Sequence, residues 1–171
     1  TTDEARTFAK RISDAGFKGI WVNIANPCDV VSTGIQYLTG CDPKRVIGSG
    51  TTLDSARFRH ALSVATGYPA SCINAWMLGE HGNGQFALWS HVTFGCLTDK
   101  EVEAQTGLKF DRAQLEQDAR MGGYVTYKGK HCTEYSIANG AVEVIGAIVN
   151  DTKLVTPVST LLDNVYGASG F

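Results

Sequence analysis

Ile20-Trp21-Val22-Asn23-Ile24-Ala25-Asn26-Pro27 is the stretch whose reading decides the fold. Its nearly continuous apolar run predicts a strand buried on both faces, as in a parallel sheet covered by helices. Asn26-Pro27 then predicts a helix start, with Asn as cap and Pro at the first position, running to about Thr39 before Gly40 and Pro43 break it. Upstream, Ala5, Phe8, Ala9, Ile12 and Ala15 recur at helical spacing, so Asp3 to Ala15 predicts a helix ended by Gly16. Downstream, Arg45-Val46-Ile47-Gly48 reads as another short strand. Helix, strand, helix, strand is the order of a doubly wound α/β sheet.

Beyond Gly50 the pattern changes. Thr52 to Thr66 predicts a helix ended by Gly67. Ser71 to Leu78 and Gln85 to Phe94 predict an antiparallel pair joined by the loop from Gly79 to Gly84. Ala113 to Tyr127 and Glu134 to Asn150 predict helices, the second with Ile137, Ala141, Val144, Ile145 and Ile148 on one face. Leu154 to Leu162 reads as a last strand. The chain thus divides into residues 1–48, part of an α/β dinucleotide-type domain, and residues 49–171, an α+β domain.

At 171 residues and 43% hydrophobic, the chain can bury one ordinary core or two small ones. A net charge of -2 supplies no electrostatic reason to bind nucleic acid or a membrane surface. No apolar run approaches the ~20 residues of a membrane helix, and Thr1 to Ala15 is polar and amphipathic rather than a signal segment. The five cysteines are odd in number and contain no C-x-x-C pair, which favours reduced thiols and a cytoplasmic location. His131 beside Cys132 is the only tight Cys/His pair, so no metal is expected.

Chemistry concentrates in Leu53-Asp54-Ser55-Ala56-Arg57-Phe58-Arg59 and Gly79-Glu80-His81-Gly82-Asn83. With Leu53 at zero on a helical wheel, Val64, Ala61, Ala65, Phe58 and Leu62 share the half-circle up to about 180°. Arg57 falls near about 40° and Asp54 near about 100°, both inside that apolar half, while Ser55 and Arg59 fall on the polar side. Charges on an inward face need a partner or a ligand. Three readings stay open: an internal Asp54–Arg57 ion pair, a capping box from Thr51 to Asp54, or a division of labour. In the last, Arg57 clamps a substrate carboxylate and Asp54 orients a histidine.

His81 is the natural partner, because glycines bracket it in a loop open to close approach by a ligand. Asp54 would hold its ring in one tautomer and raise its pKa toward working pH. His60 reads as packed on the apolar helix face. Asn26 lies at the carboxyl end of the first strand and Ser49 after the second, where open α/β sheets bind ligands. No Gly-x-Gly-x-x-Gly loop or phosphate-cradling pattern occurs in the chain.

Asn26-Pro27-Cys28-Asp29-Val30, Arg45-Val46-Ile47-Gly48-Ser49-Gly50-Thr51, the Leu53-to-Arg59 run and Leu78-Gly79-Glu80-His81-Gly82-Asn83 follow one another as successive blocks. Trp89-Ser90, Lys128-Gly129 with Thr133, and Asp163 through Gly167 extend the pattern. Together they resemble the L-lactate/L-malate dehydrogenase family over nearly the whole chain. Asn83-Gly84-Gln85-Phe86 is closer to its 2-hydroxyisocaproate branch than to lactate dehydrogenases with Asp after the glycine. The resemblance implies the second part of a Rossmann-type domain followed by the family's α+β catalytic domain.

It further implies an NAD-dependent L-2-hydroxy-acid dehydrogenase that reversibly reduces a 2-oxo acid such as pyruvate, as in glycolysis. His81 would be the general acid/base, Asp54 its partner, and Arg57 the carboxylate ligand. Asn26 would contact the substrate oxygen and the nicotinamide, Ser49 would lie near the carboxamide, Thr133 would line the substrate pocket, and Ile137 would pack against the nicotinamide. A cytoplasmic homodimer or homotetramer is implied too. The family's glycine-rich start, its mobile lid loop and its last helix are not in this sequence, so the chain reads as the middle of a protein of roughly 300 residues. Malate as substrate, a Cys-His-Asp hydrolase using Cys28, and a non-catalytic assembly module are the rival readings.

Overall fold

The structure, a computed structural model, describes residues 2–167 and 169. Its contacts divide the chain into two compact units: Thr1–Gly50 with Ala141–Leu154 and Val158–Phe171, and Thr51–Gly140 with Val155–Pro157. This differs from a simple division at residue 48, because the chain returns to the first unit after Gly140.

In the first unit, helix α1 (Thr2–Asp14) precedes strand β1 (Trp21–Asn23), helix α2 (Cys28–Thr39) and strand β2 (Val46–Gly48). β1 and β2 are parallel, with Trp21 opposite Val46 and Asn23 opposite Gly48. Ala5, Ala9, Val31, Ile35 and Val46 form its core, with Trp21, Leu38 and Cys41 packed against them. The strand is shorter than the apolar run predicts: Ile20 and Ile24 lie outside the ladder and are exposed. Asn26 does not cap α2; Pro27 occupies the cap position and no side chain caps the helix. The segment from Leu154 to Leu162 forms no ladder. It contributes a single antiparallel bridge, in which Gly48 and Ser159 exchange both backbone hydrogen bonds at 2.8 and 2.9 Å.

The second unit opens with helix α3 (Thr52–Thr66), ended by Gly67 in the left-handed conformation. The predicted hairpin is present but broken into two ladders. β3 (Ile73–Asn74) and β4 (Met77–Leu78) pair antiparallel with β6 (Thr93–Phe94) and β5 (Phe86–Ala87) respectively. A 3-10 turn at Trp89–His91 interrupts the second arm, while the Leu88 N–H still donates to the Trp76 carbonyl at 2.9 Å. β7 (Leu97–Thr98) adds to β6. Helix α4 (Asp99–Thr106) was not anticipated, although Thr98 and Glu101 form a complete capping box at its start. With Val102 as its one buried apolar residue, it carries little hydrophobic periodicity to read.

Helices α5 (Arg112–Lys130) and α6 (Tyr135–Asn150) follow. α6 begins in the second unit and belongs to the first from Ala141 onward. Ala141 and Val144 are buried, whereas Ile145 is exposed despite sharing their predicted face. No helix among the described residues is long and apolar enough to cross a membrane.

The core of the second unit gathers Phe58 and Leu62 of α3, Ile73, Met77, Val92, Phe94, Val102 and Leu115. Trp89 meets Phe58 edge-on at 5.2 Å, and Phe94 stacks on Phe110 at 5.7 Å. The buried arc of α3 is rotated from the one the wheel predicts. Ser55 is wholly buried, and Val64 and His60 are exposed. The reason is local: the Ser55 hydroxyl donates to the Thr51 carbonyl at 2.8 Å and accepts from the Met77 N–H at 2.9 Å. A polar side chain satisfied on both counts can be buried at little cost. Phe58 is fully enclosed, so Phe58→Ala is expected to lower stability by about 3–5 kcal/mol. A urea unfolding midpoint that falls at constant slope checks this.

Candidate active site

Asp54 sits in the first turn of α3 and is 1% exposed. Its two oxygens are shared between two partners. Oδ1 accepts from Arg57 Nη1 at 3.0 Å. Oδ2 lies 2.5 Å from His81 Nδ1. The side chains of Arg57 and His81 are themselves 18% and 21% exposed, so each keeps a face toward water while its other end reaches the buried carboxylate.

This geometry settles two of the three readings of Asp54 and Arg57, the ion pair and the capping box. The ion pair forms, one helical turn apart, and it coexists with the histidine contact. The capping box does not form: the Thr51 hydroxyl donates instead to the Met77 carbonyl at 2.6 Å. With Nδ1 donating to the Asp54 carboxylate, that contact sets the tautomer and the orientation of the ring.

α3 and α5 together place Arg57. Two adjacent glycines of α5, Gly122 and Gly123, lie against its side chain, and a Cβ built on Gly122 would meet Arg57 Cδ at 2.7 Å. Glycine inside a helix costs about 1 kcal/mol relative to alanine, so this spacing is held against the helix's own preference. The His81 loop closes on itself. Gly79 has φ +89°, and a side chain there would collide with the Gly84 carbonyl at 2.9 Å. Gly82 and Gly84 face the Glu80 side chain rather than open space. The bracketing glycines therefore let the loop close on itself around Glu80.

Asn26 and Ser49 belong to the first unit. Asn26 is exposed just beyond β1, and Ser49 is buried just beyond β2. The Ser49 N–H donates to the Asn23 carbonyl at 2.8 Å, which ties the two carboxyl-end loops together. Asn23, which the sequence reading did not single out, organises this edge. Its amide nitrogen donates to the Cys28 carbonyl at 3.0 Å and to Ser32 Oγ at 3.1 Å, and its oxygen accepts from the Ala25 N–H at 3.0 Å. A polar residue inside an apolar strand was the available signal. Cys28 Sγ accepts from the Gly50 N–H at 3.3 Å and lies 3.7 Å from Ser49 Oγ, so this thiol is committed to the loop.

Asn26 and Ser49 thus stand just beyond the carboxyl ends of two neighbouring parallel strands, the edge at which open α/β sheets bind ligands. This sequence holds no glycine-rich phosphate-binding loop. Thr133 is exposed ahead of α6, and Ile137 is half-buried one turn on.

Comparison with known proteins identifies the family. Residues 51–171 match the family model described as lactate/malate dehydrogenase, alpha/beta C-terminal domain. An L-lactate dehydrogenase of Lacticaseibacillus casei is 38% identical over 158 residues, covering 91% of this chain and 48% of that protein. L-lactate dehydrogenase 2 of Listeria monocytogenes is 35% identical, covering 98% of this chain and 57% of that protein. Among solved structures, a lactate dehydrogenase from a Medee basin deep-sea metagenome library superposes with a TM-score of 0.94 at 31% identity, over 98% of this chain and 54% of its own. The minor L-lactate dehydrogenase of Enterococcus mundtii, in a ligands-bound form, gives 0.92 at 31% identity, over 98% of this chain and 54% of its own. The chain spans about half the length of the curated relatives it matches.

Removing the carboxylate would leave Arg57 without its acceptor. Because Arg57 retains 18% exposure, the cost should match a lost charge-assisted bond rather than a stranded buried ion. Asp54→Ala is expected to lower stability by about 1.5–3 kcal/mol. Guanidinium chloride unfolding of both proteins measures it.

Proposed function

This chain belongs to the lactate/malate dehydrogenase family, and from that premise we propose that it carries the catalytic centre of an NAD-dependent L-2-hydroxy-acid dehydrogenase. The observation that supports this most directly is the shared carboxylate. Asp54 offers one oxygen to the imidazole of His81 and the other to the guanidinium of Arg57. An acid/base and a carboxylate ligand are thereby locked to one rigid helix, within reach of a single small anion.

In the reduction of a 2-oxo acid, Arg57 binds the substrate carboxylate through donors not used by Asp54, since a guanidinium carries five N–H groups. His81 donates from Nε2 to the C2 oxygen as it becomes an alkoxide, while Nδ1 stays on Asp54. An imidazolium and a guanidinium flanking the substrate stabilise the negative charge that develops at that oxygen. Bound NADH supplies the hydride. In the reverse direction His81 accepts the hydroxyl proton of the L-2-hydroxy acid. Asn26 and Ser49 are assigned to the nicotinamide end of the cofactor, with Asn26 also toward the substrate oxygen. Thr133 is assigned to the substrate pocket and Ile137 to the nicotinamide face. The functional division proposed is cofactor contacts in residues 1–48 and substrate chemistry in residues 49–171.

Pyruvate and 2-oxoisocaproate are the substrates proposed, with a homodimer or homotetramer as the assembly. Five free cysteines suit a reducing cytoplasm. The test is NADH consumption by the complete protein with pyruvate, 2-oxoisocaproate and oxaloacetate in parallel. No consumption with any of them would overturn the reading, and preference for oxaloacetate would move the substrate to malate chemistry.

Two variants separate the roles. His81→Asn is expected to keep substrate binding while turnover falls by at least about a hundredfold, the scale of a lost general acid. Arg57→Lys loses the paired geometry and should weaken transition-state binding by about 1.5–3 kcal/mol, or roughly 10- to 150-fold in kcat/KM. Steady-state kinetics with the same three oxo acids reads both.

A further inference from the structure

The loop that carries His81 is held from below by a residue with no other evident task. Gln85 is 4% exposed, in the loop between β4 and β5. Its amide nitrogen donates to the Gly82 carbonyl at 2.9 Å, next in sequence to His81. Its own carbonyl accepts a forked pair from Arg120 of α5, at 3.1 Å from Nε and 2.8 Å from Nη2. Arg120 is fixed in turn by Glu116 at 3.1 Å, and Glu116 also accepts from Trp89 Nε1 at 2.8 Å. Trp89 packs on Phe58 of α3, the helix that bears Asp54 and Arg57. A continuous chain of contacts thus runs from the back of α3 to the backbone beside His81.

One detail argues against a purely stabilising role for Gln85. Its Oε1 is buried and accepts no hydrogen bond from any described residue. An unsatisfied buried acceptor is destabilising, and an apolar side chain of similar length would remove that penalty. The amide orientation is not arbitrary, because exchanging its two ends would set oxygen against the Gly82 carbonyl. What the glutamine gains for its penalty is the single bond to Gly82.

We propose that Gln85, anchored by Arg120, is a positioning residue for His81: it fixes the loop so that the imidazole stays on the Asp54 carboxylate. The proposal rests on His81 being the acid/base group. Catalytic geometry is sensitive to small displacements, and a shift of about 1 Å can cost up to a hundredfold in rate.

The decisive variant is Gln85→Met in the complete protein. Turnover of the preferred 2-oxo acid is expected to fall about ten- to hundredfold, with KM and NADH affinity within about twofold. The urea midpoint should stay level or rise. Hydrogen–deuterium exchange should increase over residues 79–84 and nowhere else. Arg120→Lys, which keeps one donor toward the Gln85 carbonyl, should fall between the parent and Arg120→Met in turnover.

Loss of stability together with activity in Gln85→Met, or exchange rising throughout the chain, would make Gln85 an ordinary core residue and overturn the proposal. Unchanged turnover with a loosened loop would overturn it as well. If the parent protein reduces no 2-oxo acid, the reading of His81 fails, whereas the exchange measurement still reports separately on whether Gln85 holds the loop.

Discussion

A carboxylate withdrawn almost entirely from water is the constraint around which the second unit is arranged. Burying an ionised Asp54 alone would be strongly unfavourable. The structure accepts it because a guanidinium from the same helix and an imidazole from a loop complete its hydrogen bonding. Neither partner is buried to the same depth: the side chains of Arg57 and His81 are 18% and 21% exposed, against 1% for Asp54.

The surrounding architecture keeps the three groups from relaxing away from one another. α3 is anchored below the site by Phe58 and Leu62 in the apolar core, and beside it by Ser55 and Thr51 bonding to the backbone of Met77. α5 comes close enough to press its glycine pair on Arg57, and two positions earlier it extends Arg120 to the His81 loop. One helix therefore lies against Arg57 and also holds the loop that carries His81. Rigid elements hold such constellations more precisely than loops do, and here the one loop involved is tied to a helix.

Much of this was legible in the residues themselves. Asp54 and Arg57 on the inward side of a predicted helix, and His81 in a glycine-bounded loop, are conspicuous because charge on an apolar face demands a reason. The bounds of α3 follow from Gly67 and the periodicity before it. Other features had signals too weak or ambiguous to read. α4 is short and mostly polar, so only its Thr98–Glu101 box marked it. Asn26-Pro27 has the grammar of a helix start, yet the cap position falls to Pro27. Ser55 looked solvent-facing because a wheel counts polarity and cannot see that the backbone of Met77 arrives to satisfy the hydroxyl.

The amino-acid sequence alone determined the order of most elements, the candidate acid/base and its candidate carboxylate partner, which depend on local periodicity and on residue chemistry at short spacing, and its successive motif blocks carried the resemblance to the family. Tertiary structure alone decided that one carboxylate serves both Arg57 and His81, that Gly122 lies against Arg57, and that Gln85 and Arg120 brace the loop. Apart from the short-range bonds of Asp54 to Arg57 and of Gln85 to Gly82, those contacts join segments far apart in the chain, and which long-range partners meet is set by packing of the whole core rather than by any pattern within a single stretch.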